Sequence, residues 1–247
     1  MIKNIEQNNP GYKKLLWFCG WLLTFWSGSI NMIATYAILF SRVSHMTGPA
    51  SDLSRFLVTD IRMAFYLMLI VFSFIFGAYM SAIVAKYIKF SANLMLSTLP
   101  ALVSMILILT NNQMIESLGT HIFAMLLPMG MGWQNGATSQ SEIGRTTHVT
   151  GDITDIGIGI ARGDWAKTFY FSVKFLGYVS GGITGLLIMD FSPIIALIIS
   201  VLGIVIIGMT IGIFDIKNQS IRKKLELSSP PLELKNSIEM TRSQQAS

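Results

Sequence analysis

The chain has 247 residues, of which 52% are hydrophobic and only 13% charged, where a soluble globular protein carries about 25% charged residues. With a mean hydropathy of +0.57, that deficit excludes an ordinary soluble domain and points to the membrane. The single cysteine, Cys19, excludes an intrachain disulfide, and its aromatic neighbours Trp17, Phe18 and Trp21 suit a small apolar packing residue.

Six apolar stretches approach the ~20 residues needed to cross ~30 Å of hydrocarbon. In chain order they cover about 15–40, 63–85, 92–110, 117–138, 168–189 and 193–214. The first is too long, and lacks the small-residue site, for a cleaved signal peptide, so it is expected to remain as a helix. Helices are expected throughout, because lipid offers the backbone no hydrogen-bonding partners and no alternating strand pattern occurs. The predicted fold class is therefore all-α, a polytopic membrane protein with six transmembrane helices. Residues 1–14 form a short N-terminal segment, 15–214 a single transmembrane domain, and 215–247 a basic tail. In that tail, IKNQSIRKKLEL has the pattern of a short amphipathic helix, and the Pro-containing remainder reads as disordered.

Orientation follows from Lys and Arg. Of the eighteen, Arg42, Arg55 and Arg62 fall on one side, Lys174 lies within the fifth span, and the rest fall with the N-terminus. Both termini are expected in the cytoplasm, and the location expected is the bacterial inner membrane, multi-pass. Positive-inside topology absorbs the basic balance, and no nucleic-acid partner is expected. The expected partner is the lipid bilayer; the oligomeric state is left open.

A polar phrase occurs twice. RVSHMTGPASDLS (42–54) and RTTHVTGDITDIG (145–157) align without a gap. Arg42 matches Arg145, His45 matches His148, Thr47–Gly48 match Thr150–Gly151, and Asp52 matches Asp155. Each phrase follows the first span of a three-helix set, so the predicted plan is two inverted three-helix repeats, about 15–110 and 117–214. Such halves meet at sites near the bilayer midplane. Each phrase is expected to hold an extended Thr-Gly elbow followed by a half-helix, 49–59 and 152–161, opened by Pro49 or Asp152.

The candidate substrate or ion pathway is Asn31, His45, Thr47, Asp52, Gln134, Asn135, Thr146, His148, Thr150 and Asp155. Asp52 and Asp155 suit proton or cation binding, or simply stabilise a helix start. Histidine ordinarily titrates near neutral pH, so His45 and His148 suit relay or gating, or bond a neighbouring carbonyl. Arg42 and Arg145 are read as interfacial anchors. Neutral amides are costly at membrane depth unless partnered. Asn31 in SGSIN and Gln134 in MGMGWQNGATS align between the halves, and line a path or join helices. Gly177, Gly181 and Gly185, four apart, are helix-packing positions that let backbones approach, and Gly77 with Ser81 is similar. Lys174 either snorkels or pairs with Asp155, Asp164 or an anionic substrate.

SHMTG after the first span, GWQNGA in the fourth and RTTHVTGDITDIG together resemble the YoaK-like family of small bacterial inner-membrane proteins, over roughly residues 12–215. That resemblance implies a six-helix integral membrane protein and supports the fold more than an activity. The chain departs from the family pattern at Asn31, where an acidic residue is expected, and at Pro49, where Asn is expected. Proton chemistry is accordingly weaker in the first half, while the second half keeps its pattern.

The function expected is a secondary transporter or channel for a small polar or anionic solute, using a site between the repeats. No nucleotide-binding loop, catalytic motif, metal signature or cofactor motif accompanies the polar phrases. A structural, lipid-binding or regulatory membrane protein is the alternative. A metal-dependent intramembrane enzyme built on two His and two Asp is less favoured, because a duplicated site has no evident reason to be catalytic.

Overall fold

The computed structural model describes residues 10–39, 41–110 and 118–228. Residues 1–9, 40 and 111–117 and the tail beyond Ser228, where disorder is expected from the sequence, lie outside the described residues. Among those described, all regular structure is helical. Helix α1 (Pro10–Ile33) continues as a π-helical turn, Ala34–Ile38. There follow α2 (Thr47–Thr59), α3 (Ile61–Val84), α4 (Phe90–Leu96) and α5 (Leu99–Thr110). The remaining helices are α6 (Leu118–Thr138), α7 (Val149–Arg162), α8 (Trp165–Met189) and α9 (Pro193–Ser228). The chain separates into two compact units at Gly212, the second holding the end of α9, so the predicted amphipathic segment of the tail continues that helix.

Among the described residues, four stretches are long and apolar enough to cross a membrane: Ile61–Val84, Phe90–Leu107, Trp165–Met189 and Pro193–Lys217. Their outward faces carry Phe65, Phe72, Ile75 and Phe76 on α3, and Leu176, Ile183 and Leu187 on α8. Apolar surface on this scale is stable against lipid and not against water. Helices α1 and α6 are less apolar because they carry the buried polar residues Ser27, Ser29, Asn31, Gln134 and Thr138.

Local chemistry fixes the helix ends. Asp60 caps α3 by accepting from the Arg62 and Met63 amides at 3.0 and 3.3 Å. Asp164 caps α8 by accepting from the Lys167 amide at 3.3 Å. Both satisfy N–H groups that have no intrahelical partner. Gly163 ends α7 with φ 69°, a left-handed position that suits glycine.

One sequence expectation is refined and one corrected. The third span is interrupted at Ser97–Thr98, between α4 and α5. Pro100 has no N–H to give, and the Ser97 and Thr98 hydroxyls bond the Leu94 and Met95 carbonyls at 2.6 and 2.7 Å. The half-helices also begin earlier than expected, at Thr47 and Val149, so each Thr-Gly pair lies in a first helical turn and not in an extended elbow. In the first half, helical bonding starts ahead of Pro49: the Gly48 amide donates to the His45 carbonyl and the Ala50 amide to that of Met46. Pro49 stays within the first turn, where a missing N–H loses nothing.

Two pairs of helices pack closely, α1 on α8 and α3 on α6. In the first, Gly28 faces the Tyr178 carbonyl, Gly181 the Phe25 carbonyl, and Gly182 the Met32 side chain. In the second, Gly132 faces the Phe74 carbonyl, Gly77 the Met129 carbonyl, and Gly136 the Ala78 carbonyl. Gly177 and Gly185 complete the α8 face against Trp21 and Ser29. The absent side chains let the backbones touch.

These contacts correspond residue for residue. The step from Phe25 to Met129 equals that from Gly77 to Gly181, from Gly28 to Gly132 and from Phe74 to Tyr178. It is one residue longer than the step from His45 to His148. Between Met32 and His45 there is one residue more than between Gly136 and His148, and the π-turn at the end of α1 absorbs it, as a one-residue insertion in a helix does. Gly163 is the compensating extra residue later in the chain: α2 runs directly into its neighbour's cap Asp60, whereas Gly163 separates α7 from Asp164.

Candidate functional site

The polar groups gather where the chain leaves α1 and α6. In the first half, the Asn31 carboxamide oxygen accepts from the Val43 amide, the Ser44 amide and the Ser44 hydroxyl, at 3.1, 3.1 and 2.9 Å. One buried side chain thus ties the whole loop back onto α1. Ser44 also meets the Tyr178 hydroxyl at 3.2 Å, and the His45 ring stands edge-on to Tyr178 with centroids 4.8 Å apart. His45 and His148 approach each other with ring centroids 6.5 Å apart.

In the second half, the Gln134 amide nitrogen donates to Ser27 on α1 at 2.9 Å and to Thr146 at 3.0 Å. Thr138 reaches the same Thr146 hydroxyl at 3.4 Å. Gln134 therefore bridges α6, α1 and the second phrase from a fully buried position. By the close helix contacts, the residue equivalent to Asn31 is Asn135, and Gln134 corresponds to Ile30. The sequence alignment of Asn31 with Gln134 is corrected by that one residue; the π-turn is the reason.

This equivalence exposes an asymmetry. Asn31 and Ser44 bond each other, whereas at the matching positions the Asn135 carboxamide oxygen and the Thr147 hydroxyl are both buried without a partner. The latch closed in the first half is open in the second. Phe74, at the position matching Tyr178, offers no hydroxyl to Thr147 either. An unsatisfied buried polar group costs about 1–3 kcal/mol, so at this point the second phrase lacks the tie that the first has and depends on the Gln134–Thr146 bond instead. Asn31→Ala, which strands two buried amides, should lower the midpoint of thermal unfolding in detergent. Asn135→Ala removes an oxygen with nothing to accept and should lower it far less.

The predicted pathway residues divide into two groups. Asn31, His45, Gln134, Asn135, Thr146 and His148 are buried or half-buried and converge on this seam. Thr47, Asp52, Thr150 and Asp155 are exposed on α2 and α7 and do not join it; the Thr47 and Thr150 carbonyls accept from the Ser51 and Thr154 hydroxyls within their own helices. Arg42 and Arg145 are exposed. Lys174 does not snorkel. It is fully buried and pairs with Asp152 at 3.0 Å, not with Asp155 or Asp164. The helical phase decides this, since α7 buries Val149, Asp152 and Gly159 and turns Asp155 outward. Sequence reading missed Tyr178 and quoted Ser27, within SGSIN, without giving it a partner; the role of each comes only from the helix opposite.

A cavity of about 10 Å³ lies among Ile30, Ser97, Thr98, Met131, Gln134 and Ile204, room for about one water molecule. Among the described residues no three His, Cys, Asp or Glu side chains form a group able to hold a metal.

No curated protein and no solved structure matches the chain. A family model described as a protein of unknown function, DUF1275, matches residues 19–210. That match takes in both polar phrases and every close helix contact described above, and the chain, an integral membrane protein by its lipid-facing helices, belongs to the DUF1275 family.

Proposed function

We propose that this protein is a secondary transporter or channel for a small polar or anionic solute, built as two inverted three-helix repeats around the buried polar seam. α1 and α6, although less apolar, complete the six spans. The family match and the motifs SHMTG, GWQNGA and RTTHVTGDITDIG support its assignment to the YoaK-like group, and the distribution of Lys and Arg supports an inner-membrane location with cytoplasmic termini.

Three features support the repeat. The α1–α8 and α3–α6 contacts exchange under one constant step along the chain. His45 and His148, from the two phrases, meet between the halves. Buried neutral amides occupy both first spans. The observation that carries transport is the latch, closed at Asn31–Ser44 and open at Asn135–Thr147. Inverted halves that work by alternating access adopt unlike conformations at equivalent places and exchange them. The small cavity then belongs to a closed stage of that exchange. It equally suits a structural or regulatory joint, the reading that competes.

Flux of a labelled panel of small carboxylates, phosphates and amino acids into proteoliposomes separates the two. Wild-type protein should move at least one member, and Gln134→Ala with His148→Ala should reduce that flux at least tenfold while elution as a folded protein persists. Flux that survives both changes removes the seam from the mechanism; no flux of any member in the wild type favours the joint. Topology has its own test. In a Cys19→Ser background, single cysteines at Asp52 and Asp155, both exposed, should label with impermeant reagents from opposite sides of the membrane. Labelling from the same side would break the inverted plan.

A further inference from the structure

Lys174 on α8 and Asp152 on α7 form an ion pair from which solvent is almost wholly excluded: Lys174 is 0% and Asp152 5% exposed. The Lys174 ammonium donates to Asp152 Oδ1 at 3.0 Å and to the Arg145 carbonyl at 2.7 Å, and lies 5.6 Å from the rings of both Tyr170 and Phe171. The other carboxylate oxygen, Asp152 Oδ2, is buried with no partner. A native structure rarely leaves such an oxygen unsatisfied without a use for it.

The joint itself does not require the charges. The equivalent positions in the first half are Pro49 and Ile70, both buried and apolar, and the same helices close around them. Replacing a buried ion pair by apolar groups is often neutral or stabilising, so the packing of α7 on α8 gives no reason for the pair. An ionisable residue inside a membrane protein more often marks an ion or proton path.

Gly144 stands beside the ammonium. Gly144 holds φ 70°, and a side chain begun there would meet only the Lys174 ammonium, at 4.0 Å. Beside the carboxyl stand Lys174 and Tyr170 of α8 and Asp155 of α7, while Cys19 of α1 and Glu142 of the preceding loop stand by Tyr170, and the Arg145 carbonyl holds the ammonium. Lys174 is the buried cation among them and Asp155 the acidic neighbour on the same helix.

We propose that Asp152 is the proton-coupling carboxyl of this protein, an inference that rests on the transport reading. A proton from the aqueous phase adds to Oδ2 and neutralises the carboxylate. The ion pair ends, and the Lys174 ammonium, still held by the Arg145 carbonyl, is left to take an anionic solute from the side of Gly144. Loss of the proton restores the carboxylate, which displaces the anion. Proton and anion thus travel together, and no covalent bond other than the O–H is made or broken.

The test is an infrared titration of the purified full-length protein. On acidification from alkaline to mildly acidic buffer, wild type should develop the carbonyl stretch of a protonated carboxyl. The band should vanish in Asp152→Asn, persist in Asp155→Asn and His148→Ala, and appear at higher pH in Lys174→Met. A wild-type band that survives Asp152→Asn, or no band in the wild type, overturns the proposal. If Asp152→Asn does not fold, Asp152→Asn combined with Lys174→Met removes both charges and takes its place. Proteoliposome flux of labelled small anions then isolates the coupling. An inward proton gradient should stimulate the wild type and not Asp152→Asn; equal stimulation of both overturns the coupling. An Asp152 band with no anion flux at all overturns the transport reading and, with it, the coupling, while the protonatable carboxyl stands.

Discussion

Gly181→Leu abolishes the folded protein. A side chain at this position points at the Phe25 carbonyl of α1, and both backbones lie in long helices that touch at several further points, so neither can retreat at this one alone. Overpacking of an ordinary core costs about 1–3 kcal/mol because side chains yield; here the obstacle is main chain, and the loss falls at or above the top of that range. Gly77→Leu, opposite the Met129 carbonyl, should fail the same way. Gly157 is the control. A side chain there meets nothing within 4 Å, so Gly157→Ala removes a helix-weakening glycine and should be neutral or stabilise by up to about 1 kcal/mol. Size-exclusion profiles and thermal unfolding in detergent read all three. Folded Gly181→Leu protein with an unchanged melting point would mean that α1 and α8 do not touch as described.

The second large effect concerns the buried ion pair. Lys174→Met leaves the Asp152 carboxylate in the interior without its cation, and breaking such a pair from one side typically costs about 3–5 kcal/mol. Asp152→Asn combined with Lys174→Met removes both charges and should recover most of that loss, so the two substitutions are strongly non-additive. The sign with pH follows from linkage. The stranded carboxyl binds a proton more readily in the folded state than in the unfolded chain, so acidification favours the folded state of Lys174→Met. Its melting point should rise as pH falls, until the unfolded chain also protonates. A double variant no more stable than Lys174→Met would show that the lysine stem, and not its charge, matters at this position.

Much of this protein can be read before any coordinates. The hydropathy of the chain specifies a membrane protein, because stretches such as 61–84 and 193–217 have no stable place in water. The two polar phrases identify the segments that fold between spans, since Arg, His and Asp are too costly in lipid to recur there by indifference. The glycines of α8 advertise a close helix partner. Spacing along one chain reveals all of these.

What the sequence leaves open is which residues face one another. Asp152 and Asp155 are both within a helical turn of the same motif, and only the phase of α7 against α8 sends one to Lys174 and the other outward. Asn31 aligns with Gln134 by counting, yet a π-turn inserts one residue and makes Asn135 its counterpart. The unmade bond at Asn135 and Thr147 is invisible in a string of letters, because it depends on the geometry of two segments at once. Composition and periodicity determine what enters the membrane, since those are sums over single residues. The tertiary structure alone decides partners, because a contact depends on the rotation and register of two helices, and one inserted residue changes both.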